Sequence, residues 1–274
     1  MRIGVFPWTV AAFRVAGLIV AGFVFDAAAA NAMTAHEIMV CSDGASKVGD
    51  AKSELTMTLT EAAGGQRVRK MQMMTKLQSD GIDNKRIIRF LSPADIKGTV
   101  SLLIEKTGGD DDMWIYLSAL KKVRRLVADN KRDSFVGSDM TFGDIIGHKP
   151  TDWTHVLLRE DVFDGNQVWV IESVPKDNQV KSQTGYAKRL TFVDRRSCIA
   201  LKSDYWDETG ALLKTIRASD IVSVDSVAKK WQFMHIDAVN QQSGHGTVIH
   251  FDLYQANQGI SDDVFTPRSL EKDR

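Results

Sequence analysis

The sequence predicts a mainly β protein, an incomplete antiparallel barrel of about ten or eleven strands whose apolar concave side is covered by a few short helices. Three observations predict it. From residue 53 onward apolar side chains recur mostly at every second position, the period of a half-buried strand. The intervening segments are short and rich in Gly, Asp and Asn, residues that tolerate positive φ and join neighbouring strands antiparallel. Helical patterns are few and about two turns long, and so many strands in one twisted sheet must close, split or curl. A β-sandwich is the competing architecture.

The N-terminus reads differently from the rest. Arg2 and Arg14 precede an uncharged apolar run over residues 15–25, followed by the small residues AAAANA. A membrane-spanning helix needs about 20 apolar residues and a signal-peptide core roughly 7–15, so residues 1–32 are expected to be a cleavable export signal, cut after Ala30 or Ala32. An uncleaved anchor is the alternative. Residues 33–274 then form a single domain; the whole chain has only five prolines and no low-complexity stretch, and nothing marks a linker.

Within that domain, Thr34 with Glu37 three residues on predicts a capped short helix over 34–41. Leu55, Met57 and Leu59 alternate with threonines in the first strand, and Gly64-Gly65 turns it into a second over 67–77. Further strand-like runs are 85–91, 99–106, 113–117, 153–160, 168–174, 186–194, 198–206, 212–218, 231–240 and 247–255, with turns such as Asp164-Gly165-Asn166 and Ser243-Gly244 between them. Short helices are expected near 138–146, capped by Ser138 or Asp139, and after Ser261. Residues 116–128 fit a helix or a strand pair, and periodicity alone does not decide.

Composition and motifs remove several function classes. Lys+Arg and Asp+Glu both number 35, which is not the charge footprint of a nucleic-acid binder. The chain has no G-x-S-x-G nucleophile elbow, no phosphate-binding glycine loop, and no zinc spacing among its six histidines, so no catalytic residue, metal or cofactor is expected. Met71 and Met73 alternate on a strand and read as core filling rather than soft-metal ligands. Cys41 and Cys198 would meet an oxidising compartment in an exported chain, where they either bridge or remain separate buried thiols. Lys121, Lys122, Arg124 and Arg125 form a basic cluster suited to a charge-protected sheet edge or to docking on a partner. Aromatic residues abound, and Phe90, Trp114, Tyr116 and Trp153 are the candidates for lining an apolar ligand cavity.

Two blocks carry a family resemblance. Residues 89–105, RFLSPADIKGTVSLLIE, and 111–144, DDMWIYLSALKKVRRLVADNKRDSFVGSDMTFGD, resemble the F-x-x-P-x-D-x-x-G and W-x-Y-L-x-A-L-x-x-V-R-R … D-S-F-x-G-S-D … D signatures of outer-membrane lipoprotein-sorting proteins, relatives of the LolA and LolB carriers. The resemblance implies an incomplete antiparallel barrel holding an acyl chain or other amphiphile in a Gram-negative periplasm. It turns 116–128 into strand, turn and strand, with Ser118 where the family often has proline. The function it implies is a non-enzymatic periplasmic carrier of lipid or lipoprotein acyl chains, with an inner-membrane exporter as the candidate protein partner. The alternative is a module that docks on such an exporter and carries nothing. A lipid-ester hydrolase ranks third, for want of the motifs.

Overall fold

The computed structural model describes residues 1, 3–4 and 32–272. The chain divides into Met1–Ala32 and Met33–Arg274, and the fold is that of the second unit. The export signal expected over residues 1–32 lies, apart from Met1, Ile3, Gly4 and Ala32, outside the described residues.

The first strands are β1 (Asp50–Thr60), β2 (Gln66–Leu77), β3 (Asn84–Ser92), β4 (Val100–Ile104), β5 (Asp112–Leu117) and β6 (Lys122–Leu126). After a long crossover come β7 (Trp153–Phe163), β8 (Asn166–Pro175), β9 (Tyr186–Asp194), β10 (Ala200–Asp207), β11 (Leu212–Asp225), β12 (Lys230–Asn240) and β13 (Gly246–Ala256). They form one 13-stranded antiparallel sheet in the order β6-β5-β4-β3-β2-β1-β13-β12-β11-β10-β9-β8-β7. The sheet is unclosed: β6 and β7 are its two edges. The half-open barrel is therefore observed, with more strands than the apolar alternation resolved, because the 116–128 segment is strand, turn and strand. Leu120 N–H donates to Leu117 O at 3.1 Å in that turn, and Lys121 takes the positive φ that closes it.

Period-two burial decides which side chains face inward. On β1, Leu55, Met57 and Leu59 are buried while the intervening threonines are half exposed. On β5 the same rule sends Met113 and Ile115 to the concave core and Trp114 and Tyr116 to the convex side. There the C-terminal segment covers them, with Phe265 and Leu270 packed against Ile87, Val100 and Leu102.

The crossover, residues 127–152, links the two sheet edges and supplies the plug. Its Phe135, Met140, Phe142 and Ile146 are buried in the same cluster as Met57, Met71, Ile88 and Ile249. It contains the whole D-S-F-x-G-S-D block, residues 133–139. Gly137 takes positive φ (79°), a conformation that costs an L side chain energy. Ser138 is not a helix cap; its hydroxyl donates to Phe135 O at 2.8 Å and ties the loop together. Helix α2 (Phe142–Ile146) is instead capped by Thr141, whose hydroxyl accepts from Asp144 N–H while Asp144 accepts from Thr141 N–H at 2.7 Å. Cations from the sheet hold the plug: Arg69 donates to Val136 O, Arg86 to Ile145 O, and Lys214 to Asp144.

Two further helices complete the domain. Helix α1 (Ala35–Gly44) carries the expected Thr34–Glu37 capping box. A disulfide joins its Cys41 to Cys198 in the β9–β10 turn, across 157 residues of sequence. Helix α3 (Asn178–Thr184) escaped the sequence reading, although Asp177 caps its start and Gly185 follows its end at φ 74°.

Candidate functional site

Between the concave face, the plug and α1 lies a cavity of about 320 Å³. Alternation on central strands gives it an apolar wall: Leu55 and Met57 of β1, Met71 and Met73 of β2, Ile88 of β3, Ile249 and Phe251 of β13. Methionine suits such a wall because its unbranched thioether adapts to irregular shapes. Phe135, Met140 and Ile146 close it from the plug, and Met39, Ser42 and Asp43 from α1.

Two polar clusters seal the periphery. In the first, Lys47, just beyond α1, donates to Asp43 Oδ2, Glu105 Oε2 and Ile82 O, each at 2.8 Å, and Glu105 also accepts from Asn84 N–H at 3.0 Å. Burial raises the Glu105 carboxyl above its ordinary value against the pull of Lys47 and Arg86, whereas for Lys47 the two carboxylates outweigh burial and raise it. The cluster anchors the end of α1 to the sheet. In the second, Asp144 receives the Lys214 ammonium, His148 Nε2 at 3.1 Å and the Tyr186 hydroxyl at 3.0 Å, with the side chains of Asp144 and Lys214 both about 2% exposed. Burial works against the Asp144 carboxylate, yet Lys214 and His148 overcome it and hold the group well below the usual carboxylate range. Burial pushes His148 down and Tyr186 well up, so the imidazole and phenol stay neutral beside the ion pair.

A third polar group lines the cavity on β9 and β10. Arg189 lies opposite Tyr205, and Thr191 opposite Ser203, so the two strands present a four-residue tile to the interior. Ser203 and Thr191 hydroxyls are 3.3 Å apart, and the Arg189 guanidinium stacks 4.7 Å from the Trp153 ring centre. Burial, then the Asp144 charge, raises the Tyr205 phenol to about 12.

The structure relocates the residues proposed for lining. None of Phe90, Trp114, Tyr116 and Trp153 borders the cavity. Phe90 is fully buried in the core beneath Arg69 and 6.0 Å from Phe135; Trp114 and Tyr116 face the convex side; Trp153 sits behind Arg189 with Tyr186 and Tyr205. The basic cluster sits at the β6 edge, where Lys121, Lys122, Arg124 and Arg125 are exposed and Arg125 pairs with Asp112 at 2.7 Å over Trp114. Among the described residues no group of three or more His, Cys, Asp and Glu side chains is placed to hold a metal ion. Arg189 and the partners of Asp144 were missed by sequence reasoning; Asp144 itself closes the family motif, but Arg189 carries no local signal.

The unclosed antiparallel sheet plugged by its own crossover around an apolar cavity is a LolA-like fold. Solved structures agree. An outer membrane lipoprotein-sorting protein domain, so named provisionally, from Vibrio parahaemolyticus is 27% identical, with a TM-score of 0.79, over 87% of this chain and 98% of that one. A DUF1329 family protein from Desulfovibrio piger is 28% identical with a TM-score of 0.79, over 86% and 97%. A LolA superfamily protein from Nitrosomonas europaea, at 20% identity, shares the fold with a TM-score of 0.66 over 87% and 100%. The profile of a family described as uncharacterized proteins matches residues 82–272, more than half of the chain, and the chain belongs to that family. No curated protein matches significantly.

Proposed function

We propose that this protein is a periplasmic carrier that holds the hydrocarbon of a lipid or of a lipoprotein acyl chain in the cavity between its sheet, plug and first helix. The carrying observation is the cavity itself, about 320 Å³ and walled by methionine, isoleucine and phenylalanine in a chain of LolA-like fold. A space of that size lies at the small end of ligand pockets and suits one chain rather than several. The Cys41–Cys198 disulfide supports an oxidising compartment, and with residues 1–32 read as an export signal it favours the periplasm. No described helix is long and apolar enough to cross a membrane. Catalysis has no place in this reading, because Asp144 and His148, although they border the cavity, are engaged with one another and with Lys214 and Tyr186.

Native mass spectrometry of the protein purified from periplasm tests the proposal. A bound amphiphile, or uptake of one by the delipidated protein, is expected; consistent absence of both contradicts it. A docking role for the β6 edge is supported by exposed Lys122 and Arg124. Lys122→Glu with Arg124→Glu should then abolish association with an exporter while leaving lipid uptake intact.

A further inference from the structure

Among the described residues, two guanidiniums line the cavity with no carboxylate within ion-pair distance: Arg86 donates to Ile145 O of the plug and faces Glu105, whereas Arg189 is left open by the clusters described above. Arg189 is 6% exposed, and among the described residues no carboxylate lies within ion-pair distance of it. Its Nε has no hydrogen-bond partner. Asp144, which acts on it through space, is already occupied by Lys214, His148 and Tyr186, and Asp43 by Lys47. Tyr205 hydrogen-bonds the guanidinium and the Trp153 ring stacks on it, but neither supplies a negative charge; a guanidinium does not escape by losing its proton, and a buried charge without a counter-ion is costly. The planar fork of its N–H donors matches the paired oxygens of a carboxylate or phosphate. Tyr205, Thr191 and Ser203 add hydroxyls on the same cavity face, and the apolar wall begins beside them.

We propose that this corner is the head-group site of the cavity: Arg189, assisted by Tyr205, receives the anionic oxygens of a single-chain amphiphile, a carboxylate or phosphate, whose tail lies against Met57, Met71 and Ile249. The proposal rests on the carrier reading and narrows it to anionic cargo. Cavity walls of aliphatic side chains grip a tail without regard to its head; the guanidinium without a counter-ion supplies the discrimination.

The test compares palmitate with its neutral methyl ester, each displacing the fluorophore phenylnaphthylamine from the delipidated protein near pH 8. Wild type should bind palmitate about tenfold or more tightly than the ester, the usual scale for a hydrogen bond to a charged group. Arg189→Met should erase that preference while ester binding stays within about twofold. If Arg189→Met does not fold, Arg189→Lys should shrink the preference severalfold, since an ammonium lacks the fork. Equal binding of acid and ester by wild type, or a preference unaltered by either variant, overturns the head-group assignment while the carrier reading stands. Inorganic phosphate binding as tightly as palmitate also overturns it, in favour of a free-anion site. Binding of neither amphiphile defeats the carrier reading itself.

Discussion

Two cations flank Tyr205 in one cross-strand row, Arg189 of β9 on one side and Lys214 of β11 on the other. Both are almost fully buried. Lys214 meets Asp144 of the plug and donates to Asp139 O at 3.0 Å, so its charge is consumed in holding the crossover against the sheet. Arg189 meets an aromatic ring, a phenol and the cavity. The same row thus contains one charge closed by the fold and one left open to a ligand. A buried ion in the first setting is architecture; in the second it is available for recognition.

Breaking the closed side should have the largest effect. Asp144→Ala strands Lys214 in the interior and should lower stability by about 3–5 kcal/mol in urea unfolding, with part of the loss recovered by adding Lys214→Met. A cost below about 1 kcal/mol, within the range of exposed pairs, would show that the cluster does not hold the plug. Replacing both Cys41 and Cys198 by serine frees α1 from the β9–β10 turn and should cost about 2–5 kcal/mol, the usual scale for a native bridge; unchanged unfolding midpoints would refute that role.

Acid should expose the closed side next. His148 is buried with its value depressed from 6.5. For a base so shifted the unfolded chain binds the extra proton, so the contribution of His148 is fully present above about pH 6.5 and is lost as pH falls toward the folded value. Unfolding free energies from pH 8 to pH 5 should therefore decline more steeply in wild type than in His148→Gln, by at most about 1.4 kcal/mol per pH unit. Identical slopes would contradict the buried neutral imidazole. The smallest stability effect belongs to the open side. Arg189→Met should change stability by less than about 1 kcal/mol or raise it, because an apolar replacement removes a buried charge that no described carboxylate pairs with. A loss of several kcal/mol would instead class Arg189 with Lys214.

The same contrast marks what the sequence makes legible. Strand alternation on β1 and the Thr34–Glu37 box are local patterns, and both appear in the structure as read. The inward face of β5 is not local: residues 113 to 116 are apolar or aromatic on both faces, so periodicity is silent until the C-terminal segment is seen to cover Trp114 and Tyr116. Arg189 is hidden for a related reason. On β9 both faces are largely buried, and its standing depends on which distant carboxylates are already taken. The family motif located Asp144 without explaining it; the explanation is Lys214, seventy residues away in the chain.

Uptake of phenylnaphthylamine by wild type and by Met71→Trp tests the central claim most directly. Met71 is 3% exposed and lines the cavity wall, so an indole there should fill the space a tail would occupy. Saturable uptake by wild type at about one probe per chain, lost in a folded Met71→Trp variant, is the predicted result for a pocket of this size. No uptake by wild type, or uptake undiminished when the cavity is filled, would contradict it.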